Sequence, residues 1–337
     1  MCAHDREKKG RQAFTLVEML VVIVIIGILA GLLTGAVIMA RTSARISMVR
    51  NEIAQLELAL QMYKNQYGEY PPDFALINHS TVGPQARQRV LNHIRKRWPR
   101  FQPRDPKTGS PVAFNWDEVR AHILNGTGVD IETLTPAGAL VFWLGGTPED
   151  LSNWKPQGFH SDPTDPFKPG VPREKPLFEF RTERLTTNPL AYRPDVGNIP
   201  TGPFVYFRSF RVPQTGRYEY GYPDGQVIVP LAFPDQPDPE IGQAVPYLEP
   251  WSNMPDPTQA AEKQYVDLTL RRAWRNAESF QIIAPGLDGS FGVGLDVPSG
   301  PGNPSKFRIS KLGARFSEED YDNITNFCQR TLEDEIE

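Results

Sequence analysis

Between Met19 and Ala40 the chain carries no charged residue, and Glu18 is the one charge in the whole stretch Phe14–Ala40. About 20 apolar residues, rising about 1.5 Å each as a helix, cross a bilayer core of about 30 Å. This segment therefore predicts a single membrane-spanning helix, and everything after it must fold in water. Ahead of it lies a short polar stretch with Arg6, Lys8, Lys9 and Arg11. The positive-inside rule keeps that basic end cytoplasmic, although Arg41 and Arg45 on the far side reduce the contrast.

Two simpler readings meet this pattern. A secretory signal peptide predicts a shorter apolar run closed by a small-residue cleavage site, and neither is present. A plain signal anchor satisfies the length, but it leaves Glu18 without a purpose. A charge costs roughly 2.5–3.5 kcal/mol at the centre of a membrane helix, less toward the interface, so an intramembrane carboxylate implies a partner.

The junction Ala13-Phe14-Thr15-Leu16-Val17-Glu18 resembles the processing site of type IV pilins and type II secretion pseudopilins. That resemblance implies cleavage between Ala13 and Phe14 by prepilin peptidase, N-methylation of Phe14, and Glu18 as the fifth mature residue. In the family this glutamate neutralises the amino terminus of a neighbouring subunit, which offsets the desolvation of both charges. The family usually has glycine where this chain has Ala13.

Past Arg41 the helical pattern continues. Ile46, Val49, Ile53, Leu56, Leu60, Tyr63 and Tyr67 recur at alternating spacings of 3 and 4, an apolar stripe, with Arg50, Glu52, Gln55, Glu57 and Lys64 facing elsewhere. An isolated coiled coil would use the same residues; a repeat this short favours packing on a globular domain. No proline precedes Pro71, and Gly68 with Pro71-Pro72 supplies the stop. Gly27, Gly31 and Gly35 fall at i, i+4 and i+8 on one side of the membrane segment, a spacing that lets helices approach closely in lipid.

The 33 prolines all follow residue 70, so long helices are not expected there. A basic, aromatic-interleaved stretch from Arg87 to Arg104 reads as a solvated helix over about Gln85–Arg97, with Val90, Leu91 and Ile94 inward, rather than a nucleic-acid groove. The overall charge of −4 gives no general basic surface, and no nucleic acid is expected as a partner. Leu134–Leu144 predicts a short buried helix opened by Thr135-Pro136. Leu177–Phe180, Phe204–Phe210, Gln226–Phe233 and Ser279–Ala284 predict strands, and 145–170 and 234–257 predict loops.

The turn Ser279–Gly292, containing Asp288-Gly289, and the acidic segment Glu318–Phe327 resemble the end of the major pseudopilins, where such segments form a calcium loop. The resemblance implies Asp288, Asp320 and Asp322 as possible calcium ligands; read without it, the two segments are an Asp-Gly turn and a helix start. The five histidines show no zinc spacing, and no nucleophile-elbow, phosphate-loop or dinucleotide motif occurs. Once the leader is removed Cys328 is the remaining cysteine, so no internal disulfide is expected. No catalytic residue is assigned.

The expected fold is α+β and pilin-like: a long N-terminal membrane-spanning helix packed on a small antiparallel β-sheet with large loop insertions. Its parts are a leader at 1–13, a transmembrane half of the helix at 14–40, an exported half at 41–68, and a periplasmic globular domain at 69–337. The expected role is a non-enzymatic structural subunit of a type II secretion pseudopilus in the bacterial inner membrane. It would self-assemble into a periplasmic filament with other pseudopilins and meet the inner-membrane secretion platform. The alternatives are a type IV pilin or minor tip pilin and, from another class, a membrane-tethered periplasmic enzyme or glycan-binding module.

Overall fold

The computed structural model describes residues 16–152, 154–197, 201–225, 227–238, 240–247, 274–292 and 322–332. Its contacts divide the chain into two units, Met1–Ala44 and Arg45–Glu337. One helix, α1 (Leu16–Tyr67), contributes to both. It stops where the glycine predicts: Gly68 takes φ +79° and its N–H donates to the Lys64 carbonyl at 2.7 Å. That left-handed conformation costs glycine nothing.

In the first unit every side chain from Leu16 to Ala44 is exposed. The apolar segment reaches a mean hydropathy of 3.0 over an 18-residue window, long and apolar enough to cross a membrane. Its one hydroxyl with a described bond, Thr34, donates to the carbonyl of Ala30 at 2.7 Å, which shields it within the helix.

In the second unit the stripe is buried as the spacing predicts. Ile46, Val49, Ile53, Leu56, Leu60 and Tyr63 enter the core, and Tyr67 packs against its edge. The chain then forms α2 (Gly83–Arg97), with Val90, Leu91 and Ile94 inward, and α3 (Trp116–Thr127). Asn115 caps α3 by accepting the Glu118 N–H, and Gly128 at φ +70° ends it. The apolar segment after Thr135-Pro136 is α4 (Pro136–Leu140) continued by a π-helical turn, Val141–Gly145. All ten of its residues are buried. Gly138 and Gly145 are required here: a Cβ on the first would press on the Leu190 carbonyl, and on the second against Phe180 and Pro156.

Among the described residues eleven strands follow: β1 (Leu185–Thr187), β2 (Leu190–Tyr192), β3 (Val205–Arg208), β4 (Phe210–Arg211), β5 (Tyr218–Glu219), β6 (Gly221–Asp224), β7 (Val227–Pro230), β8 (Phe233–Asp238), β9 (Gly242–Ala244), β10 (Phe280–Ala284) and β11 (Ile324–Thr325). The central sheet is antiparallel in the order β11-β10-β3, with Ile282 opposite Tyr206 and Ala284 opposite Ile324. The remaining strands make four two-stranded pairs. The α+β expectation of a long helix with small antiparallel sheets therefore holds.

Two local expectations fail. Leu177–Phe180 is not a strand: the N–H groups of Leu177 and Phe178 both donate to the Leu144 carbonyl at the end of the π turn, so they are taken before any sheet edge is reached. The span 234–257, expected as loop, instead begins with the β8–β9 hairpin, in which Phe233 pairs with Ala244; residues 248–257 lie outside those described. Cys328 is buried.

Candidate functional site

The N-terminal segment is built almost entirely by composition. Glu18 lies in the first turn of α1, where the helix dipole favours a carboxylate. Gly27, Gly31 and Gly35 have open space where a Cβ would stand, so contacts among the described residues do not explain them. Ala13 and Phe14 lie outside the described residues.

Further along α1 the polar side chains are fastened to the second unit. Glu52, which the spacing puts off the apolar stripe, accepts the Tyr192 hydroxyl at 2.6 Å through Oε1 and Arg184 Nη1 at 2.8 Å through Oε2. Arg184 Nη2 also meets Glu52 Oε1 and the Tyr192 hydroxyl. Both members of the ion pair are mostly buried, and Arg184 stacks over the Tyr192 ring at 4.5 Å.

At the end of α1 a polar chain runs through the core. Burial pushes the His93 imidazole down to about 4, although hydrogen bonding to Glu69 opposes this. With the ring neutral, Nδ1–H donates to Glu69 Oε1 at 2.9 Å and Nε2 accepts the Tyr63 hydroxyl at 2.6 Å. Burial raises the Glu69 carboxyl, but the bond from His93 and the charge of Arg208, 3.1 Å away, overcome it and hold the group down to about 2. Asp73, fully buried, accepts the N–H groups of Ala75 and Arg208, yet burial dominates and pushes it up to about 6.

The basic stretch forms the expected helix, with Val90, Leu91 and Ile94 inward and Arg95 and Lys96 exposed, but several of its arginines are engaged. Arg87 pairs with Glu132 at 2.5 Å, Arg95 lies 4.1 Å over the Phe114 ring, and Arg97 is buried against Tyr67 and Trp98 at 4.2 and 4.3 Å. These contacts hold Arg95 and Arg97 against aromatic faces.

The two candidate calcium segments do converge. Asp322 Oδ2 accepts the N–H of Leu287 at 2.7 Å and of Asp288 at 3.3 Å, while its Oδ1 is buried with no hydrogen-bond partner. Burial first, and the neighbouring Asp288 charge second, push the Asp322 carboxyl up to about 6. Gly286 is required by this approach, since a Cβ there would overlap the Asp322 carboxylate. Asp320 lies outside the described residues, and among those described no group of three or more His, Cys, Asp or Glu could hold a metal ion.

With this geometry in place, the family model of the prokaryotic N-terminal methylation motif matches residues 8–34. No curated protein and no solved structure matches the chain. The motif assigns the N-terminal segment to the type IV pilin-like class, whose members are substrates of prepilin peptidase and assemble as pili do. Together with the apolar helix it fits a protein anchored in the membrane by one pass. The match covers a small N-terminal part of the chain.

Proposed function

We propose that this chain is a structural subunit of a type II secretion pseudopilus, without enzymatic activity of its own. The supporting observation is the methylation motif at residues 8–34, which opens a helix that is fully exposed as far as Ala44 and then enters a folded core. An apolar helix with nothing packed against it among the described residues needs other surfaces, and lipid and neighbouring subunits supply them. On this reading prepilin peptidase cuts between Ala13 and Phe14, Phe14 is methylated, and Glu18 meets the new amino terminus of a neighbour. Gly27, Gly31 and Gly35 then provide the close-approach face between helices.

Calcium belongs to the same proposal. The orphaned Asp322 Oδ1 and the adjacent Asp288 fit a cation, and Asp322 and Asp288 would hold it with backbone carbonyls of the 286–289 turn. Two carboxylates fall short of the six to eight oxygens calcium takes, so further oxygens must come from outside this pair. When bound, the ion would supply positive charge that ties the acidic segment to the turn.

Mass spectrometry of the protein from its native membrane tests the processing step. The expected species begins at N-methylated Phe14, and a chain still beginning at Met1 overturns the proposal. Copurification with a secretion ATPase and secretin supports the pseudopilus; copurification with a retraction ATPase moves the assignment to a type IV pilus.

A further inference from the structure

A cleft of about 610 Å³ opens where the end of α1, helix α2 and strands β3–β4 meet. Five cations line it: Lys64 from α1, Arg89 and Lys96 from α2, and Arg208 and Arg211 from the strands. Glu69 and Glu278 are the lining carboxylates, and the buried Asp73 lies close enough to Arg208 and Arg89 to feel their charge. Glu69 is already engaged by His93, Lys96 and Arg208. Lys64, Arg89 and Arg211 have no carboxylate within 4 Å among the described residues. The chain as a whole carries a net charge of −4, so this local excess of cations is not a general property of its surface.

The cations are also held in place. The Arg89 guanidinium lies 4.2 Å from the Phe210 ring and 4.3 Å from the Tyr222 ring, and Arg208 stacks on Phe210 at 5.4 Å. Lys64 Nζ sits 4.5 Å over Tyr70. Stacking costs the arginines rotamer freedom in advance, and a planar guanidinium suits carboxylate and phosphate; Arg208 Nη2 already meets Glu69 and Arg211 Nε donates to the Gly216 carbonyl, so their remaining N–H groups are the ones offered to a ligand. It also covers the aromatic faces on which a neutral sugar ring would stack. The cleft volume falls in the range of small-molecule sites.

We propose that this cleft binds a compact ligand bearing two or more oxyanion groups, carboxylate or phosphate. This inference does not depend on the filament reading. The oxyanions belong either to a small molecule or to acidic side chains of a partner protein, and the cleft offers both the same donors.

The test is calorimetric titration of the full chain in nonionic detergent with pyrophosphate, with citrate and with a hexapeptide of aspartate and glutamate, using glucose as the neutral comparison. Saturable binding of at least one anion, weakening with added salt, is expected. Tighter binding of the peptide identifies the source as a protein partner; tighter binding of pyrophosphate or citrate identifies a small molecule. The double variant Lys64→Gln/Arg211→Gln changes two exposed side chains and should weaken binding about tenfold or more with an unchanged melting temperature. Lys107→Gln, on an exposed loop outside the cleft lining, should leave it unchanged. No saturation by any of the three anions below about 10 mM overturns the proposal, as does an equal loss in the Lys107 variant.

Discussion

Replacing Glu52 by alanine removes the acceptor for both N–H edges of Arg184 and for the Tyr192 hydroxyl. The side chains of Arg184 and Glu52 are 13% and 16% exposed, so water can relieve only part of the loss. Breaking a buried pair by deleting one partner costs about 3–5 kcal/mol, and partial exposure places this case near about 3 kcal/mol. For a unit of this size that lowers the melting temperature by about 6 °C, at about 2 °C per kcal/mol. The six tryptophans all follow residue 97, so their fluorescence reports the second unit even when the full chain is held in detergent. Denaturant titration should show Glu52→Ala, and likewise the cycle's own singles Glu52→Leu and Arg184→Met, each strongly destabilised. The double variant Glu52→Leu/Arg184→Met should recover most of the loss, because an apolar pair leaves no stranded charge. Single effects that add in the double variant to within about 0.5 kcal/mol would refute the idea that this pair fastens α1 to the strands.

Other outcomes follow from the same structure. His93 has a folded pKa of about 4, below its ordinary 6.5, so the unfolded chain takes up the proton first and stability is lost as pH falls through that window. Asp73 acts oppositely: its folded pKa of about 6 exceeds the ordinary 3.8, so its contribution is present at low pH and is lost as pH rises through 6. Each is worth about 3 kcal/mol at most, so His93→Gln should gain about that much relative to the parent between pH 7 and pH 4; parallel stability curves for the two would contradict this. Gly286→Ala should destabilise the second unit by about 1–3 kcal/mol, because its methyl displaces the Asp322 carboxylate. Calcium at about 100 times its Kd should raise stability by about 2.7 kcal/mol in the parent and not in Asp322→Asn; a melting temperature indifferent to chelator removes the calcium proposal. Gly31→Ile should leave the melting temperature of the second unit unchanged, since nothing among the described residues fills that space, and reduce filament yield; normal filaments would show that helices do not approach there.

How far the sequence could be read depended on whether a signal was local. The membrane run, the Ile46–Tyr67 stripe, the Gly68 stop and the helix opened by Thr135-Pro136 are each set by neighbouring residues, and each is found. The partners of Glu52 are not legible in the sequence, because Arg184 and Tyr192 lie more than 130 residues away and no periodicity links them. The rings that hold Arg89 and Arg95, Phe210 and Phe114, are hidden from the sequence in the same way, because they belong to other parts of the chain. Short pairs such as β8–β9 were hidden by proline, which normally argues against a strand and here is carried within β8 itself. The cationic cleft gathers its residues from four separate stretches, so only the fold reveals it. Asp288 and Asp322 were linked by resemblance rather than by spacing, and the structure brings them together.

The central claim is that the N-terminal helix is an assembly device. Its most direct test is the filament fraction sheared or isolated from cells making the parent chain or Glu18→Ala, with the N-terminus read by mass spectrometry. The account predicts filaments containing chains that begin at methylated Phe14, and a Glu18→Ala protein that inserts in the membrane but is absent from the filament fraction. Glu18→Ala chains present in filaments at the parent level would contradict it.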